Sequence, residues 1–240
     1  MLCADYLHHM GIKVVSHVKA IGNIQDESFG VHIDDELIER LNSMSMPTIS
    51  NDARKRMVSL LQSISAIGDS IGGAVETAIV GLPAGYGSPC FDGLESSLSS
   101  LIFALPGVKS ISFGLGADFV KARGSEVADS FYVTESGKIE TDNNFNGGLN
   151  RGISNGMPII MNTVFKPIPS IQQPMKGLDL VTNEVVDLKV NREHTVCHAP
   201  EGNVLATSVA AIVTLDAILE GQGYMNMPKV EKKKIIPGEN

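Results

Sequence analysis

Gly68-Asp69-Ser70-Ile71-Gly72-Gly73 leads into Ala74-Val75-Glu76-Thr77-Ala78-Ile79-Val80 and then Gly81-Leu82-Pro83-Ala84-Gly85-Tyr86-Gly87-Ser88-Pro89-Cys90-Phe91-Asp92-Gly93-Leu94-Glu95. The middle segment is apolar and rich in β-branched residues, so it reads as a strand. Glycines and prolines punctuate both flanks and mark turns. Phe91 to Leu105 then reads as a helix, because Leu94, Leu98, Leu101 and Ile102 fall on one face.

Upstream, Leu2, Tyr6, Leu7 and Met10 recur at helical spacing until Gly11. Ile12 to Val18 reads as a strand and Asp34 to Met44 as a short helix. Asn51 or Asp52 is expected to cap a longer helix through Met57, Leu60, Leu61 and Ile64. Downstream, Ser110 to Phe113 is a short strand. Phe131 to Val133 and Lys138 to Glu140 flank Ser136-Gly137 as a hairpin. Met157 to Phe165 is a further strand. Leu178 to Leu180 and Val185 to Val190 flank Thr182-Asn183 as a second hairpin. Leu205 to Leu219 is the last helix. Hairpin strands beside helices predict an α+β layered fold in preference to a doubly wound parallel sheet.

Composition narrows the function class. The chain has 240 residues, 43% hydrophobic and 19% charged, which is globular and not disordered composition. Nineteen Lys and Arg against 27 Asp and Glu give a formal charge of −8, which argues against nucleic acid as a partner. Cys3, Cys90 and Cys197 are too scattered for a disulfide framework and favour a reducing, cytoplasmic setting. No secretory signal is read at the N-terminus. Val204 to Leu219, the most apolar run, contains Thr207, Ser208, Thr214 and Asp216 and is shorter than the roughly 20 residues a spanning helix needs, so no membrane association is expected.

Several constellations could carry chemistry. Gly147 to Gly156 holds four glycines and Arg151, which suits either an anion-binding loop or a loop needing positive φ. It is not a dinucleotide fingerprint, since no G-x-G-x-x-G follows a strand. His194, Cys197 and His198 imitate metal-ligand spacing, but a closed zinc site needs a fourth ligand, so no metal is predicted. Cys90 precedes a helix, where a thiol is activated or simply fills space as a small hydrophobe. Lys166-Pro167-Ile168-Pro169-Ser170 ends a strand as a turn stiffened by two prolines. That turn suits a phosphate cradle or a strand terminator.

Taken together, Gly68 to Gly73, Gly81 to Glu95, Leu105 to Lys109, Gly124 to Asp129, Gly152 to Ile159 and Lys166 to Ile171 resemble, in order, the motifs of the chorismate synthase family. Weaker similarity extends over most of the chain. The resemblance implies a sandwich of β-sheets and α-helices, assembled as a homotetramer. It implies a carbon–oxygen lyase of the shikimate pathway, in aromatic amino acid biosynthesis. That enzyme eliminates phosphate and a ring proton from 5-enolpyruvylshikimate 3-phosphate to give chorismate. The small-molecule phosphate is the expected substrate and reduced FMN the implied cofactor, with no net redox change. On this likeness Pro106, Gly107, Lys166, Pro167, Ile168, Pro169 and Ser170 contact FMN. The family usually has Thr where Ile168 stands, so a hydroxyl contact is lost there.

The chain also departs from the family. Its N-terminal third, with two catalytic histidines and the substrate-binding arginines, has no counterpart here, so the fold is expected to be incomplete at the N-terminus and to leave apolar surface that favours self-association. Thr195 stands where the family has the Asp assigned to flavin-assisted proton transfer, and a hydroxyl is no base near neutral pH. Glu193 and Glu201 replace arginines, Arg151 replaces a glycine beside the flavin, and Phe145 replaces a histidine. No catalytic residue is therefore assigned in this chain. Residues 1–220 are expected to form one domain and 221–240, with Lys232-Lys233-Lys234, a tail. The expected activity of the chain alone is low and its FMN binding weak. The alternative is a non-catalytic relative that keeps only the fold or its oligomerisation.

Overall fold

The computed structural model of the chain describes residues 2–188 and 195–225. The elements run α1 (Leu2–His9), β1 (Lys13–Ile21), β2 (Ile24–Gln25), α2 (Asp35–Asn42), α3 (Asn51–Ala66), β3 (Gly73–Val80), α4 (Leu94–Phe103), β4 (Val108–Phe113), β5 (Phe131–Val133), β6 (Ile139–Thr141), β7 (Leu149–Asn150), β8 (Ile153–Ser154), β9 (Ile159–Phe165), β10 (Met175–Leu178), β11 (Val185–Leu188) and α5 (Ala199–Met225). One antiparallel sheet of order β2-β1-β3-β9-β4 organises the fold, and β5-β6, β7-β8 and β10-β11 are separate hairpins. The class is α+β.

Alternation along the strands assigns each sheet face. Val75 and Ile79 of β3, with Ile159, Met161 and Phe165 of β9, pack on α1, α3, α4 and α5. Val15, Ala78 and Ile160 point the other way and meet Phe29, Ile33, Ile38 and Leu41 of the segment carrying α2. A bulge between Val18 and Ala20 sets Lys19 out of the β1–β3 register.

Four expectations are corrected. The cap of α3 is Ser50, whose Oγ accepts from Ala53 N at 3.4 Å, and not Asn51 or Asp52, which already belong to the helix. The helix after Gly93 begins at Leu94, since Pro89 to Gly93 form a turn with positive φ at Cys90 and Asp92. The hairpin around Thr182-Asn183 begins at Met175. The last helix starts at Ala199, six residues before Leu205, because Pro200 fits a first turn and Gly202 sits where a Cβ would lie 2.4 Å from the Phe165 ring. Both residues look like helix breakers in sequence. By length and composition α5 could cross a membrane. Its apolar character is used against the sheet, where Ala206, Val209, Ala210, Val213 and Ile218 are buried.

Apolar surface also remains outside. Leu101 and Phe103 on α4, and Val204, Leu205, Ile212 and Leu219 on α5, are exposed on the helical layer.

Candidate functional site

At one end of the sheet β1 and β9 finish while β3 begins, with Gly73 facing both Ile21 and Phe165, and β4 begins opposite Phe165 at Val108. Hydrogen bonds to the backbone draw four loops together there. Lys166 N donates to Gly107 O at 2.9 Å, joining the turn after β9 to the turn after α4. Ser70 Oγ donates to Ile168 O at 2.7 Å, and Gln172 N to Gly68 O at 2.9 Å. Ile71 N donates to Val196 O at 2.9 Å, which ties in the approach to α5. Pro106, Gly107 and Lys166 to Ser170 are therefore one surface, although about 60 residues separate them in sequence.

Gly107 has φ +83°, and a Cβ there would lie 3.0 Å from Cδ2 of His198. The imidazole thus lies against the turn, and only glycine permits both the conformation and the contact. Lys166 is exposed, and among the described residues no carboxylate pairs with it. Pro106, Pro167, Pro169 and Ser170 are exposed as well, with Ile168 half-buried.

Thr195 is exposed and shares a groove of about 330 Å³ with Glu201, between the end of α3 and the start of α5. Two of the positions that the family resemblance marks as departures thus line one groove. Glu193 and His194 lie outside the described residues, as do Val190 and Lys232-Lys233-Lys234. Cys197 is buried against Gly73, and burial pushes its thiol up while a hydrogen bond from the Ala199 backbone opposes that. Among the described residues no group of three His, Cys, Asp or Glu side chains is arranged to hold a metal ion.

Arg151 is elsewhere. It occupies the turn between β7 and β8 with φ +55°, beside Cys90 and Glu95, and the neighbouring Gly152 O accepts from Leu94 N at 2.9 Å. That is the N-terminal end of α4, whereas Gly107 follows its C-terminal end. Ten residues of helix put about 15 Å between them. Within one chain, then, Arg151 does not crowd the Lys166 turn. Phe145 contributes backbone: its N donates to Asp129 Oδ1 at 2.8 Å and its O accepts from Leu115 N at 2.9 Å.

The sequence reading missed a polar cluster on the opposite sheet face. His17 of β1 is fully buried between Asp26 and Glu76, the latter its direct cross-strand partner. Burial opposes charge on the imidazole, but hydrogen bonds to Asp26 and Glu76 overcome it and raise the pKa above the ordinary 6.5. For Asp26 burial acts upward, and hydrogen bonds from His17 and the Ser50 and Ile49 amides bring it below the usual 3.8. The available signal was Ser16-His17 and Glu76, polar residues in otherwise apolar strands.

A family model described as chorismate synthase matches residues 1–219. A chorismate synthase of Methanobrevibacter smithii is 38% identical over 220 residues, covering 92% of this chain and 59% of its own length. That of Thermococcus kodakarensis is 34% identical over 221 residues, covering 92% and 60%. A crystal structure of chorismate synthase superimposes with a TM-score of 0.74 at 24% identity, over 92% of this chain and 61% of that one, so the fold is shared. The chain spans about 59% of the length of the curated relatives it matches. With the fold shared and the family match running from residue 1 through residue 219, the chain belongs to the chorismate synthase family.

Proposed function

We propose that this chain carries the flavin-facing portion of a chorismate synthase, a lyase that converts 5-enolpyruvylshikimate 3-phosphate to chorismate. The reaction breaks one C–O bond to release inorganic phosphate and one C–H bond to release a proton. The observation that supports this reading is the Lys166 N to Gly107 O bond, which makes one surface of two stretches that the family resemblance assigns to FMN.

The residues at this surface fit an anionic, planar cofactor. A glycine held at positive φ lets a ligand approach the backbone, and an exposed ammonium on a proline-stiffened turn stands beside it. Reduced FMN would supply transient electron density to the elimination and take part in removing the ring proton. The chain's own contribution is positioning: Lys166 balances negative charge, and Pro167 and Pro169 fix the φ of the turn. His198 backs the Gly107 turn. Thr195 holds no proton-accepting group, and Glu201 in the same groove repels an anion.

The shared groove of Thr195 and Glu201 favours a second reading for the chain by itself, a fold-retaining relative without turnover. An anaerobic assay of the purified chain with reduced FMN and substrate separates the two. Chorismate formation at an ordinary enzyme rate supports the lyase reading for the chain alone, and FMN binding without turnover supports the positioning role only. We further infer one domain over residues 1–220 followed by a tail over 221–240, α5 carrying the chain across that boundary. The exposed helical layer supports a homo-oligomer, with the family tetramer as the expected form, and the three free cysteines support the cytoplasm.

A further inference from the structure

Residues 22–50 fold as a flap over the sheet face opposite α5, where an apolar contact of Phe29, Ile33, Ile38 and Leu41 with Val15, Ala78 and Ile160 is joined by a polar fastening. Phe29 N donates to Glu76 Oε2 at 2.7 Å, Ile49 N to Asp26 Oδ2 at 2.6 Å, and Ser50 N to Asp26 Oδ1 at 2.8 Å. His17 stands between the two carboxylates, with Nδ1 2.9 Å from Asp26 Oδ2 and Nε2 3.0 Å from Glu76 Oε2. The Phe29 ring closes the site edge-on, its centroid 4.7 Å from the imidazole. Each oxygen facing the ring also accepts a backbone N–H. A carboxylate oxygen only accepts, so bonding the ring to both carboxylates takes two N–H groups, which only the imidazolium has.

The charged groups at the cluster are few. Glu76 comes from β3, Asp26 from the loop after β2, and Lys19 from the bulge of β1, donating to Asp26 O at 3.1 Å. The residues of α2 and its flanks that pack on this face, Ile38 and Leu41, are apolar. Further along the flap, Val31, His32 and Ile33 form one wall of a cavity of about 720 Å³, and the stretch from Val80 to Ala84 and Met157 form others. His32 and Glu140 both line that cavity.

We propose that His17 is a proton-controlled fastener: as imidazolium it holds the flap on the sheet, and losing its proton to solvent releases the flap and opens the cavity wall. A neutral ring satisfies one carboxylate and leaves the other buried opposite a lone pair, which no buried ion tolerates. The direction in pH follows from linkage. The raised pKa of His17 means that its contribution is complete below 6.5, declines above it, and is gone once pH passes the folded-state value. Within that window each pH unit raises the open fraction about tenfold.

Amide hydrogen exchange of the full chain as a function of pH tests this at Phe29, Ile49 and Ser50. After correction for intrinsic exchange, opening should climb about tenfold per unit above pH 6.5, while amides of β9 stay flat. Glu76→Gln should shift the climb to lower pH, and an unchanged midpoint would overturn the proposal. Should that variant fail to fold, nitrogen NMR of the unmodified chain decides. At pH 6.5, where an ordinary histidine is half protonated, the His17 ring should report two N–H groups. A neutral tautomer there, or flat exchange in the flap, would sink the idea.

Discussion

Two clusters on the same sheet spend polar groups in opposite ways. At the His17 cluster both ring nitrogens and both carboxylates are bonded and buried, and two stretches of chain, at Phe29 and at Ile49-Ser50, hang on them. At the Lys166 turn the backbone bonds are intact but the side chains are exposed. Thr195 and Glu201, which the family resemblance marks as departures, share an exposed groove between α3 and α5. Folding constrains the first cluster, because an unpaired charge in the interior destabilises the whole chain. It constrains only glycines, prolines and backbone bonds in the second. Chemistry can therefore be lost at the turn while the architecture stays.

The largest expected effect is on activity. Turnover by the unmodified chain should lie at least about 10²–10⁴ below that of a family member with its acid–base groups, since that is the usual contribution of one such group. Thr195→Asp alone should leave it there. Anaerobic stopped-flow measurement of chorismate absorbance checks both, and an ordinary rate without modification would dissolve the contrast between the clusters.

Stability should respond at the other cluster. Glu76→Ala strands the His17 charge and the Phe29 amide, and should cost about 3–5 kcal/mol in denaturant unfolding. A loss below about 1 kcal/mol would mean that the cluster is not paired as described. Acid should also attack this region: Asp26 is held below 3.8, so its contribution is present above that value and lost as pH falls through the folded-state value.

Smaller effects separate backbone from side chain at the turn. Gly107→Ala meets both φ +83° and the His198 ring, and should cost about 1–2 kcal/mol by thermal unfolding. Arg151→Gly should stabilise by about 1 kcal/mol, because the arginine sits at φ +55°. Lys166→Ala should leave stability within about 0.5 kcal/mol while weakening FMN in a fluorescence titration. Equal FMN affinity in that variant would remove Lys166 from the cofactor surface.

Much of the fold was legible because it rests on local patterns. β1, β3 and β9 are runs of β-branched and apolar residues, and α3 and α4 carry apolar residues at helical spacing. The errors arose where tertiary contact overrules a local signal. Pro200 and Gly202 begin α5 because Phe165 needs the space that a side chain at 202 would fill. At the candidate site, family likeness alone grouped Pro106 and Gly107 with Lys166 to Ser170 in the sequence, since nothing local joins two turns so far apart.

What the sequence determined by itself was the main helices and strands and the family. These follow from residue identity and short-range spacing. Tertiary structure alone decided that Thr195 and Glu201 share a groove, that Arg151 lies a helix length from Gly107, and that His17 sits between Asp26 and Glu76. The reason is that strand pairing fixes neighbours across the sheet. His17 and Glu76 are 59 positions apart in the chain and opposite one another in the β1–β3 register.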